Sequence, residues 1–169
     1  MLIDLGGPTD RAFIPLATRR GTTIPNFRRP EWNPAKMRAS IDLWRKERPL
    51  AQLRSATSVY NCMGLPFASR RTWVETEHLS LILSEDSYRR LPGPNDASIG
   101  DLVVYRDNGG TITHIGVVLS IEPGMAASLS RMRVISKWGQ EGEYIHPLDH
   151  VPRVFGKATE FWTERKTSA

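Results

Sequence analysis

The chain has 169 residues, of which 24% are charged, 40% hydrophobic and 8% aromatic. That length fits one domain with its own core, and the composition excludes collagen-like, disulfide-stapled and coiled-coil proteins. Lys plus Arg (23) exceed Asp plus Glu (18), a formal charge of +5 that allows anionic partners without requiring them.

No basic stripe interleaved with aromatics points to nucleic acid, which is not expected as a partner. A single cysteine forbids an internal disulfide. No apolar run approaches the roughly 20 residues of a membrane span, so no membrane partner is expected. The opening MLIDLGGPTDRAF lacks the basic-then-apolar pattern of a Sec signal. The expected location is the cytoplasm, with export by a signal-less route left open. Oligomeric state is not legible.

Pro8, Pro15, Pro25, Pro30 and Pro34 interrupt residues 1–34, and Arg19, Arg20, Arg28 and Arg29 make that stretch basic. It reads as an extended arm laid on the domain through Phe13, Ile14, Phe27 and Trp32, or else as a disordered tail. Residues 35–169 read as one domain. Pro34 suits a helix start, and Ala35 to Glu47 places Met37, Ile41, Trp44 and Arg48 on one face before Pro49 stops it.

A second helix is expected over Asn61 to Trp73. A third, over Glu75 to Arg90, carries Leu79, Ile82, Leu83 and Tyr88, and LPGPND ends it. From Ile99 the period changes. GDLVVYRDNGGTITHIGVVLSI reads as a hairpin with strands Asp101 to Arg106 and Thr111 to Ser120. After a loose connection come strands over Met132 to Ser136 and around Glu143 to His146. Ala158 to Arg165 suits either strand or helix. Helices precede strands, which predicts an α+β domain with an antiparallel sheet.

Two residues stand out chemically. Cys62 falls at the expected start of the second helix, where backbone N–H groups and the helix dipole lower a thiol pKa. A lone cysteine is more often a small buried hydrophobe. His114 opens the strand His-Ile-Gly-Val-Val, and a thiol nucleophile needs a base such as imidazole within about 3 Å. Gly116 leaves space beside it on the same strand face.

Cysteine on a helix start followed by histidine entering a sheet is the order of a papain-like site. YNCMGL resembles the nucleophile motif of the NlpC/P60-like cysteine hydrolases, and GDLVVY…THIGVVL resembles their Gly-Asp and His-Val-Gly-Ile strands. The string Ser136-Lys137-Trp138-Gly139…Ile145-His146-Pro147 resembles a subgroup of mostly uncharacterised bacterial members. The resemblance covers roughly residues 58–156. It implies a papain-like α+β fold, N-terminal helices on an antiparallel sheet, and a Cys–His dyad with a third polar residue. It also implies cleavage of peptide or amide bonds, often in cell-wall peptides, with acyl transfer among relatives.

On that reading Cys62 attacks and His114 is the base. Cys62 N–H and the Tyr60 side chain would serve an oxyanion. Asn61, where many relatives have Asp, caps the helix start. Pro66 deletes the N–H that would bond the Cys62 carbonyl, which kinks the first turn or makes the regular helix begin slightly later. The orienting residue lies between Ser136, favoured by position, and His146, favoured by chemistry and assigned the role. Trp138 reads as a core or pocket wall.

His78 and His150 read as surface residues. No HxxxH or CxxC spacing marks a metal site, Gly109-Gly110 is a turn and not a phosphate loop, and no cofactor is needed. The expected function is thiol hydrolysis of an amide. The alternatives are acyl transfer by the same thioester chemistry and a non-catalytic binding module that keeps the fold.

Overall fold

A computed structural model describes residues 13–122 and 132–166 of the chain. The first twelve residues of the expected arm, the opening MLIDLGGPTDRA and most of the connection after Ile121 lie outside the described residues.

Helix α1 spans Pro34–Glu47. Asn33 caps it by accepting the Lys36 N–H at 2.8 Å, Pro34 pre-sets the first turn, and Arg45 and Lys46 sit at its negative end. Strand β1, Gln52–Ser55, follows at once; LRS between polar residues carries no apolar alternation, and no strand was expected there.

Helix α2 is Gly64–Phe67 alone, far shorter than the expected Asn61 to Trp73. Pro66 has no N–H for the Cys62 carbonyl, and Ser69 and Arg70 adopt left-handed φ values of 49° and 62° that end the run. A 3-10 turn at Thr76–His78 leads into α3, Leu79–Glu85. Ser87, at φ 63°, stops that helix before the expected Arg90, and Arg89–Arg90 form β2 instead.

The remaining strands are β3 Leu102–Arg106, β4 Ile112–Ile121, β5 Met132–Lys137, β6 Glu143–Pro147 and β7 Lys157–Thr163. They form one antiparallel sheet with β1 and β2, in the order β1-β6-β5-β4-β3-β7-β2. The α+β expectation holds. The undecided C-terminus is strand β7, inserted between β3 and β2.

Strand alternation gives the sheet two buried faces. Leu102, Val104 and Ile115 turn towards Cys62, Met63, Leu79, Ile82 and Leu83, with Val117 packed against them. Ile135 joins Tyr60 and Leu65 on that side. Val103, Tyr105, Val118, Val134 and Phe161 turn the other way, towards Leu91, Leu148 and Val151.

Within residues 13–33, Ile24 and Asn26 are buried and Ile14 and Leu16 pack on the first core, whereas Phe13 is half-exposed. Asn26 folds this stretch on itself by accepting the Ile14 N–H and donating to the Ile14 and Ile24 carbonyls, each at 3.0 Å. Thr72 Oγ1 ties it to the domain by donating to Asn26 Oδ1 at 3.0 Å.

Candidate active site

Cys62 lies two residues before α2, in the bend that Asn61 organises. Asn61 Oδ1 accepts the N–H groups of Gly64 at 3.0 Å and Val74 at 3.2 Å, and its Nδ2 donates to the Val74 carbonyl at 2.7 Å. Asn61 is therefore a buried staple that closes the bend, with every contact to backbone. A one-turn helix carries little dipole, so the expected helix-end activation of the thiol is replaced by individual amides. The backbone amides of Ile115, Met63 and Cys62 itself favour the thiolate, and so does the charge of Lys137. Burial opposes them and prevails: the thiol is pushed up to about 11.

His114 does not reach this thiol. In the β3–β4 ladder Ile115 stands opposite Val104, on the Cys62 face, while His114 stands opposite Tyr105 on the other. Its ring stacks on Phe155, with centroids 4.0 Å apart and planes within 5°, and lies 5.4 Å from Tyr105. It is fully buried, its Nε2 has no partner among the described residues, and burial and the nearby His146 hold its pKa well below the usual imidazole value. The expected Cys62–His114 dyad is not assembled, because the one-residue step from 115 to 114 crosses the sheet.

The residues expected to orient His114 share its face and engage one another. Trp138 Nε1–H donates to Ser136 Oγ at 3.1 Å, and Ser136 Oγ lies 2.7 Å from His146 Nε2. His146 Nδ1 faces the Pro147 carbonyl at 2.8 Å. That carbonyl must receive a proton, so Nδ1 carries it, Nε2 accepts, and Ser136 donates. Each polar atom in the series has a partner, and Ser136 and His146 are both fully buried. His146 therefore serves as a structural link on the far face, with its pKa lowered to about 4 chiefly by burial. Trp138 is a wall: it stacks on Tyr144 at 4.1 Å and meets Trp44 of α1 edge-on at 5.4 Å.

On the Cys62 face stands a residue the sequence reading passed over. Lys137 has the same parity as Ile135, and its ammonium is buried 5.1 Å from the Tyr60 ring centroid, donating to the Gly139 carbonyl. Burial lowers its pKa to about 8 against the opposing pull of Glu143, Glu31, Cys62 and Glu141. Glu143, its cross-strand partner, accepts from Tyr60 Oη at 2.5 Å and from Arg70 Nε at 2.8 Å. The Tyr60 hydroxyl is thus committed to Glu143 and not available as the expected oxyanion donor. Arg70 is half-exposed, so the network Arg70–Glu143–Tyr60 runs from solvent to the residues flanking the thiol. The signal that could have revealed Lys137 is its odd-numbered place beside Ile135 in VISK.

No group of His, Cys, Asp or Glu among the described residues could hold a metal ion, and no helix among them is long and apolar enough to cross a membrane. No family model, curated protein or solved structure matches the chain.

Proposed function

We propose that the chain is a papain-like, NlpC/P60-type thiol hydrolase of amide bonds in which Lys137, not His114, is the proton acceptor for Cys62. The observation that carries this reading is a buried lysine on the Cys62 face of the sheet, held at the Gly139 carbonyl and beside the Tyr60 ring, whose charge favours the Cys62 thiolate and whose own pKa lies near 8. A buried amine tuned towards neutrality is suited to general-base work.

In the reaction, neutral Lys137 takes the Sγ–H proton as sulfur attacks the carbonyl carbon. The oxyanion forms beside the backbone amides of the Cys62 bend. Lys137 then gives the proton to the leaving amine, and the acyl group remains as a thioester. Water attacks the thioester with its proton passing to Lys137, and the acid leaves as Cys62 regains its hydrogen. An acyltransferase would share the first half and place an amine or alcohol where water attacks. The substrate class, a peptide or cell-wall peptide, rests on the resemblance of YNCMGL and THIGVVL.

One observation favours a second reading, a non-catalytic module that keeps the fold. Cys62 is only 6% exposed and its thiol is neutral at physiological pH. Mass spectrometry of cell-wall peptides and generic peptide pools separates the two. Fragments made by wild type and lost in both Cys62→Ala and Lys137→Met support the hydrolase. Fragments that persist in Cys62→Ala overturn it, and the absence of any fragment favours the binding module.

A further inference from the structure

On the face away from Cys62, the chain leaves β6, lays Leu148, Val151 and Phe155 over the core, and returns into β7 at Lys157. With the end of α1 and the β3–β4 turn it encloses an open groove of about 580 Å3. Its wall carries three cations, Arg48, Arg153 and Lys157, together with His150 and a single carboxylate, Asp149.

Several of these groups are fixed in place. Arg48 Nε donates to the Val151 carbonyl and Nη1 to the Glu47 carbonyl, each at 2.7 Å, which sets the guanidinium plane. His150 Nε2 lies 3.3 Å from the Leu50 N–H, and the ring also bonds the Arg48 backbone, so the imidazole is fixed against the end of α1. Gly156, at φ 74°, lies so close to β3 that a Cβ would fall 1.9 Å from the Arg106 carbonyl oxygen. The backbone along this side of the groove is therefore set by packing against β3.

We propose that this groove binds a phosphorylated small molecule bearing hydroxyl groups. Three cations around one concavity suit a phosphate dianion, with the planar Arg48 fork as its anchor. Asp149, unfavourable to a bare anion, accepts hydrogen bonds from hydroxyls on the same ligand. The volume falls in the range of small-ligand sites, about 300–1,000 Å3. The three cations line one groove of bounded volume, which favours a compact ligand over a nucleic-acid backbone.

Calorimetric titration of the full chain with ribose 5-phosphate and with inorganic phosphate tests this, with the His150 ring signals followed by NMR. Ribose 5-phosphate should bind more tightly than phosphate and shift His150. Arg153→Glu and Lys157→Glu, both at exposed positions, should each weaken it about tenfold or more. Asp149→Asn should weaken ribose 5-phosphate while tightening inorganic phosphate. Thermal melts establish that the variants are folded. The proposal is overturned if neither probe binds or moves His150, or if Asp149→Asn tightens both, which marks a plain cationic patch. Binding of a DNA oligomer that these variants abolish, without binding of ribose 5-phosphate, would assign the groove to nucleic acid instead.

Discussion

Ser136 Oγ donates to His146 Nε2 across 2.7 Å between β5 and β6, and the same oxygen accepts the Trp138 indole N–H. One hydroxyl thus satisfies two buried groups at once. Ser136→Ala leaves an imidazole nitrogen and an indole N–H without partners, and each such loss costs about 1–3 kcal/mol. The variant should melt several degrees lower in differential scanning calorimetry while its Cys62 alkylation rate stays that of wild type. An unchanged melting temperature would remove the structural role assigned to this link.

His146 and His114, both buried, make stability depend on pH in a window of their own. His146 falls from 6.5 in the open chain to about 4 in the fold, and His114 is lowered in the same direction, both chiefly by burial. The unfolded chain therefore binds protons first as pH falls. Stability is whole above about 6.5 and drains between there and about 4, by on the order of 3 kcal/mol from His146 alone. Urea melts at pH 7.5 and pH 5 should show the loss, and His146→Leu should reduce it, leaving the part due to His114. Equal stability at the two pH values in wild type would contradict the burial of these rings as neutral groups.

The α+β class and the β3–β4 hairpin could be read because period and turn chemistry are local. The side of the sheet each strand residue takes could not. Leu102, Val103, Val104 and Tyr105 are all buried, so the strand reads as one apolar run with no polar residue to mark a face. The assignment of His114 to Cys62 depended on that missing parity, and so did the oversight of Lys137, since a lone lysine in a strand ordinarily points to water. Insertion of β7 beside β3 pairs residues more than fifty positions apart, which no local pattern encodes. Pro66 marked a disturbed first turn through the single N–H it removes, but the early end of α2 at Phe67 depends on the left-handed Ser69 and Arg70, which no local pattern announces.

His114→Leu separates the two accounts of Cys62. A Cys–His dyad predicts slower alkylation below pH 7 once the imidazole is gone. Opposite faces predict an unchanged iodoacetamide profile, still rising towards a midpoint near 11. Leucine also removes a buried Nε2 that has no partner among the described residues, so stability should stay within about 1 kcal/mol of wild type or rise. A shifted alkylation profile would restore His114 to the thiol.

Gly64→Ala tests how tightly the Cys62 bend is built. A Cβ at that position would lie 1.9 Å from the Thr72 carbonyl oxygen and 3.1 Å from Tyr60 Cβ. The first contact is with backbone and cannot be relieved by a rotamer change, so the bend must open. The expected cost is about 2 kcal/mol or more, together with faster alkylation of Cys62 as its burial relaxes. A variant with wild-type stability and an unmoved alkylation rate would show that the bend does not depend on this contact.

Glu143→Gln probes the network behind Lys137. The carboxylate holds Tyr60 Oη and Arg70 Nε and raises the pKa of Lys137 against burial. Glutamine keeps the shape and removes the charge, so Lys137 should lose its proton at a pH below 8. Below that point wild-type Lys137 is charged and favours the Cys62 thiolate. The variant should therefore alkylate more slowly than wild type between about pH 6 and 8, and the two should converge above it, where both lysines are neutral. Lys137→Met should match the slow rate throughout and show no dependence on the residue at 143. The lysine titration can be followed directly by NMR of 15N-labelled side chains. If Lys137 titrates at the same pH in Glu143→Gln as in wild type, Glu143 does not set its charge.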